Sequence, residues 1–258
     1  MERKNFSFAV LSGNTLKLLA ALFMLIDHVG LILFDNLEIM RVIGRLAYPI
    51  FAFMIAEGCR YTKNKIKYFG LVFGMGTLFQ IVYYVFEKSM VMNIFITFSI
   101  SILIVYALQF FKKKLFEKKS ISLIVLSFLI LACAIGVTYF LNKKVVISYG
   151  FWGCLLPAFA SLFHADEKDE NQKLLQKIDS IPLSVFMTAI CIVLIAVSLR
   201  KMNMILQEYA IFAIPLLLLY SGKRGKRKMK YFFYLFFPIH LALLYGIAML
   251  LQITYMAV

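Results

Sequence analysis

Apolar runs long enough to cross a lipid bilayer recur along almost the whole of this chain. They lie at about 15–34, 42–59, 67–86, 92–111, 121–141, 146–163, 183–199, 204–220 and 231–254. About 20 residues of helix match a hydrocarbon core of roughly 30 Å. Hydrophobic residues make up 62% of the 258 positions, against roughly 45–50% in soluble domains. The expected fold is all-α, a polytopic transmembrane bundle of about nine spans forming a single domain over residues 1–258.

Charge then orients the bundle. The formal net charge is +15, which in a soluble chain would raise the question of nucleic acid. Here the excess sits in short loops, so topology and anionic lipid headgroups account for it, and no nucleic-acid partner is expected. With the N-terminus inside, the inner loops hold Arg3, Lys4, Lys17, and the basic groups of 60–67, 112–119, 168–177 and 223–230. The outer side keeps Arg41, Arg45, Lys88, Lys143, Lys144, Arg200 and Lys201. The positive-inside rule gives N-in, C-out, in the cytoplasmic membrane of the cell. No cleavable signal peptide is evident. Cys59, Cys133, Cys154 and Cys191 are dispersed and read as small packing residues, with no metal site expected. The polar stretch 164–182, including His164, reads as a solvated linker with at most one amphipathic turn.

Few residues carry chemistry. Asp27 and His28 lie inside the first apolar run, where ionisable groups are costly and mark function. Lys17 precedes His28 by eleven residues, about three helical turns, so the two share a face roughly 16 Å apart along the axis. Asp27 points about 100° away from His28, so adjacency alone makes no dyad. In the second run Arg41 and Arg45 are i,i+4 and share a face. Arg45 lies deep enough to need a carboxylate, with Asp27 the first candidate and Glu57 the second. Pro49 frees the Arg45 carbonyl and is expected to kink the helix. Glu57 is read three ways: general base, orienting group, or interfacial glutamate. Asn93, Thr97 and Ser101 form an i, i+4, i+8 stripe that either bonds helices together or, with Tyr48, lines a polar cavity. His240, after Pro238, is a second intramembrane imidazole on the last run. The loop SGKRGKRKMK is either a lipid-facing anchor or an attractor of a polyanionic cofactor.

The stretches LSGNTLKLLAALFMLIDHVG, IGRLAYPIFAFMIAEG, NIFITFSISIL, SYGFWGCLLP and KYFFYLFFPIHLALLY resemble, in order and over nearly the whole chain, those of TraX-type membrane proteins. That resemblance implies membership of a wider acyltransferase-3-like superfamily, whose polytopic members modify sugars, lipids or polymers at the outer membrane face. It also implies a first-helix pattern of Arg, ten residues, then His; Lys17 takes the first place and His28 the second. The cation is kept, but the bidentate guanidinium fork is lost. Arg41 and Arg45 are spaced differently from the superfamily's RxxR.

The leading expectation is therefore acyl transfer from acetyl-CoA to an external hydroxyl or amine on pilin, sugar, lipid or polymer. His28 would act as general base or acyl relay with Asp27 beside it, Arg45, Arg41 and His240 as stabilising groups, and Lys17 with Glu57 on the donor side. Two rivals stand: a permease relaying protons through Asp27, His28 and His240, and a pilus or secretion assembly factor whose polar groups only join helices.

Overall fold

A computed structural model describes residues 3–87, 91–118, 120–201, 204–226 and 229–251, without the side chains of 85–87 and 230. Lys88, Lys119, Arg227, Lys228 and the end of the last expected span fall outside them. The helices are α1 Gly13–Ile32, α2 Glu38–Gly44, α3 Ala47–Tyr61, α4 Lys65–Glu87, α5 Ile94–Glu117, α6 Ile121–Lys144, α7 Gly150–Ala160, α8 Lys173–Ile178, α9 Ile181–Arg200, α10 Ala213–Leu218 and α11 Lys230–Leu250. A 3-10 turn, Glu170–Gln172, and a 3-10 helix, Ile205–Phe212, precede α8 and α10. Two compact units emerge. The first is Met1–Asn5 with Ala52–Ile195; the second is Phe6–Phe51 with Ala196–Val258.

Among the described residues, seven helical segments are long and apolar enough to cross a membrane: Gly13–Ile32, Glu38–Tyr61, Lys65–Tyr84, Ile94–Glu117, Ile121–Lys144, Ile181–Arg200 and Tyr231–Leu250. The nine spans expected from hydropathy included two more, about 146–163 and 204–220. Their helices, Gly150–Ala160 and Ile205–Leu218, are too short by that measure. Hydropathy counts apolar residues and is blind to where a helix stops.

In the first unit α5 is the hub, packed by α4, α6 and α7. Its N-cap is Asn93, whose Oδ1 accepts from the amides of Phe95 at 3.0 Å and Ile96 at 3.3 Å, satisfying two of the donors a helix start leaves open. Its Nδ2 donates to the Gly76 carbonyl on α4 at 2.8 Å. A Cβ at Gly76 would meet the Ile96 side chain at 2.9 Å and its amide at 3.1 Å, so α4 and α5 approach this closely only with glycine there.

The segment 148–164 runs antiparallel to α5. At one end Thr97 Oγ1 donates to the Ser148 carbonyl at 3.1 Å. At the other, Lys112 Nζ donates to the carbonyls of Ser161 at 2.9 Å and His164 at 2.7 Å. Lys112 thus sits buried at the negative end of α7, where carbonyls lack helical partners. Thr97 and Lys112 are about 22 Å apart along α5.

The second unit is built on α1, which packs against α2 and α11. The first amides of α1 are already used: Gly13 donates to the Lys223 carbonyl at 2.8 Å and Asn14 to Arg224 at 2.9 Å. Leu11 and Leu219 to Ser221 pair backbone to backbone in the same place. At the far end the 3-10 helix touches α2. Eight residues at roughly 2.0 Å and six at 1.5 Å reach about 25 Å, so this short segment covers most of the length of α1.

The stretch 164–182 departs from the solvated linker expected. It folds into the 3-10 turn, α8 and the start of α9, and it buries His164, Ala165, Gln172, Leu175, Asp179 and Ile181. Its polar composition concealed inward-facing groups whose partners lie far away in sequence.

Candidate active site

The run around Asp27 and His28 is continuous helix with an ordinary N-cap, Ser12 Oγ accepting from the Thr15 amide at 3.2 Å. Asp27 and His28 therefore point about 100° apart, and the structure gives them different neighbours.

Asp27 faces α2. One carboxylate oxygen accepts from Arg41 Nη1 at 2.8 Å and the other from Arg45 Nη2. Asp27 and Arg45 are each 8% exposed. The i,i+4 spacing lets both arginines reach one carboxylate, so Arg41 joins Arg45 in the cluster. Arg45 Nε also donates to the Arg41 carbonyl at 3.0 Å, which holds the fork in place. Asp27 lies against the backbone of Gly44, where any Cβ would overlap its side chain. Helix α2 ends at that point and α3 restarts at Ala47, so the helical segment Glu38–Tyr61 is interrupted at Arg45 and Leu46, just before Pro49. Pro49 fits because the first-turn amides of α3 need no helical partner. Tyr48 is fully buried beside it.

His28 faces α11. Its Nδ1 lies 2.8 Å from His240 Nε2, and His240 Nδ1 lies 2.7 Å from the Phe236 carbonyl. Phe236 stacks on the His240 ring at 4.9 Å and 14°, and Phe237 meets it edge-on at 5.7 Å. Lys17 turns to the same helix, its Nζ 5.8 Å from the Phe233 ring centre. Lys17 and His28 thus share the α11-facing side of α1.

Glu57 belongs to a different cluster, in the first unit. Its Oε1 accepts from Arg3 Nη1 at 2.7 Å. Arg3 Nε also donates to Asp179 Oδ1 at 2.7 Å and its Nη2 to Ser184 Oγ at 2.6 Å. Arg60 pairs with the other Asp179 oxygen and, at 2.9 Å, with Glu167. Beside them is a cavity of about 350 Å³ lined by Arg3, Lys4, Arg60, Glu167, Lys177 and Asp179. Asn93, Thr97 and Ser101 do not line it. They are buried and bond to backbone carbonyls, Ser101 to Thr97 at 2.9 Å.

His164, expected to be solvated, is 4% exposed. Neither ring nitrogen makes a hydrogen bond, and Nε2 lies 3.4 Å from Glu57 Oε1. Burial, with the Arg3, Arg60 and Lys112 cations nearby, pushes its imidazole well below the ordinary value of 6.5. The unfolded chain binds a proton at His164 below about pH 6.5 and the folded chain does not. Stability should therefore fall as pH drops through that value, by about 1.4 kcal/mol per unit, until the folded ring itself protonates. Thermal unfolding in detergent at about pH 7.5 and 5.5, for native and His164→Gln protein, reads this effect. An unchanged slope in His164→Gln would refute it.

Arg3, Arg60, Asp179 and Lys112 were not singled out from the sequence as site residues, and His164 was read as solvated. Only their high cost if left unpaired could have pointed to them, and that cost shows once burial is known.

The TraX protein family matches residues 12–248. The chain belongs to the TraX family. That match takes in α1 through most of α11, including Asp27, His28, Arg41, Arg45 and His240. A probable fimbrial assembly protein FimC, serogroup H1, of Dichelobacter nodosus is 24% identical over 267 residues, covering 93% of this chain and 97% of that protein. An uncharacterized protein, RP591, of Rickettsia prowazekii (strain Madrid E) is 46% identical over 54 residues, 21% of each chain. No solved structure matches.

Proposed function

We propose that this TraX-family chain is a membrane-embedded acyltransferase. It would move an acyl group, most simply acetyl from cytoplasmic acetyl-CoA, to a hydroxyl or amine at the outer face. The observation that carries the reading is His28, hydrogen-bonded to His240 on the α11-facing side of α1 that also carries Lys17. Within acyl transfer, His28 takes the acceptor proton. Arg45, held by Asp27, offers positive charge to the oxyanion of the tetrahedral intermediate. Lys17, about 16 Å back along the helix, attracts the donor's phosphates. Placement in the acyltransferase-3-like superfamily is part of the same proposal, resting on the Lys17–His28 spacing.

We also infer nine crossings in place of seven. Segment 148–164 joins opposite ends of α5, and the segment from Ile205 onward runs from α2 to the start of α1. Each therefore carries the chain from one side to the other despite its short helix. Nine crossings keep the basic loops on the cytoplasmic side and give N-in, C-out.

A second reading is favoured by the FimC relative, aligned over 97% of its length: a part in fimbrial assembly with no chemistry of its own. Acyl transfer to a pilus subunit would unite the two. The deciding experiment is thiol release from acetyl-CoA by purified protein, with and without an envelope extract as acceptor, followed by mass spectrometry of the extract. Acceptor-dependent thiol release with a matching acyl adduct is expected. Folded protein that releases none would leave the assembly reading.

A further inference from the structure

The His28–His240 pair has a direction, and the direction is set by a peptide carbonyl. A carbonyl oxygen only accepts, so the 2.7 Å contact requires His240 Nδ1 to carry a proton and donate to Phe236. A neutral imidazole has one N–H, so His240 Nε2 is then bare and accepts. The 2.8 Å contact to it must come from a proton on His28 Nδ1. The lone pair of His28 is thereby left on Nε2.

We propose that His240 is a positioning residue that locks His28 in the Nδ1–H tautomer, so that Nε2 is its basic and nucleophilic nitrogen. The proposal deepens the acyl-transfer reading and rests on it. Enzymes commonly fix a working histidine by giving its other nitrogen a carboxylate or carbonyl partner. Here the adjacent carboxylate is committed elsewhere, both Asp27 oxygens being held by Arg41 and Arg45. The second imidazole takes the role beside the Met24 carbonyl, which also faces the His28 ring from one turn back on α1, and it is itself anchored by Phe236 through one hydrogen bond and one ring stack.

The tautomer fits the chemistry. Nε2 of His28 takes the acceptor's proton as its O–H or N–H bond breaks, and the freed oxygen or nitrogen attacks the thioester carbonyl. The C–S bond then breaks, and the departing thiolate recovers the proton from Nε2. Both rings end as they began. The same geometry weighs against proton conduction. The chain of donors stops at a carbonyl that cannot take up a proton, so nothing passes beyond His240 without a ring flip.

Nitrogen NMR of full-length protein in lipid nanodiscs, labelled at its 3 histidines and assigned with single-histidine variants, reads the tautomer directly. A protonated Nδ1 and bare Nε2 on His28 are expected in the native protein at neutral to alkaline pH. His240→Phe keeps an aromatic ring and removes the acceptor. It should shift His28 toward the Nε2–H form and lower kcat by roughly 10–100-fold, as loss of the orienting partner does for metal-bound histidines, with little change in donor KM. His240→Gln offers an amide oxygen and should restore much of both. A native His28 protonated on Nε2, or a tautomer indifferent to His240→Phe, overturns the proposal. The expected tautomer in protein that transfers no acyl group overturns the acyl-transfer reading and leaves the positioning intact.

Discussion

His28→Ala protein should insert and fold in the membrane yet lose acyl transfer by about 10²–10⁴-fold, the range for removing a general acid–base group. The ring makes a hydrogen bond to His240 and an edge contact with Phe237 at 6.4 Å. Neither supports a buried charge, so its loss leaves no uncompensated ion. His240 would keep its bond to Phe236, and α11 its backbone. The measurement is a paired one: transfer rate, and unfolding in detergent. Near-native transfer by folded His28→Ala protein would remove His28 from the mechanism and return the site to the role of helix glue.

Asp27→Ala should act in the opposite way, on the fold first. One carboxylate is shared by two guanidinium groups within the second unit, and it is 8% exposed. Removing it takes from Arg41 and Arg45 the carboxylate they share. Breaking a buried ion pair by deleting one partner costs about 3–5 kcal/mol, a large part of the roughly 5–15 kcal/mol that holds a domain together. Low yield and a lowered unfolding midpoint are expected, together with loss of activity. Asp27→Ala protein as stable as the native chain would show that the arginines find other anions and that the triad is not a structural centre.

The second unit was the more legible of the two. Asp27, His28 and His240 stand out because an ionisable group inside an apolar run is costly and usually marks function. Helical periodicity placed Lys17 with His28, and both do turn to α11. Periodicity also separated Asp27 from His28, and their partners do differ. Arg41 was harder, since its depth depends on where α2 begins. The first unit hid its cluster. Arg3 and Ser184 are separated by 181 residues, and no local pattern connects an N-terminal arginine with a loop aspartate. Asp179 and His164 sit in a polar stretch that reads as exposed. The two segments in which the hydropathy reading and the structure differ end in short helices, Gly150–Ala160 and Ile205–Leu218, the second of them partly 3-10, and helix length is not legible in apolar content alone.

Acyl transfer and its direction across the membrane are read by one measurement. Protein reconstituted in sealed vesicles, with radiolabelled acetyl-CoA confined to the side bearing the 223–230 loop and acceptor on the other, should release free coenzyme on the donor side. Labelled acceptor should appear across the membrane, at a rate that depends on His28. Coenzyme that stays acylated, or label that appears only on the donor side, would contradict it.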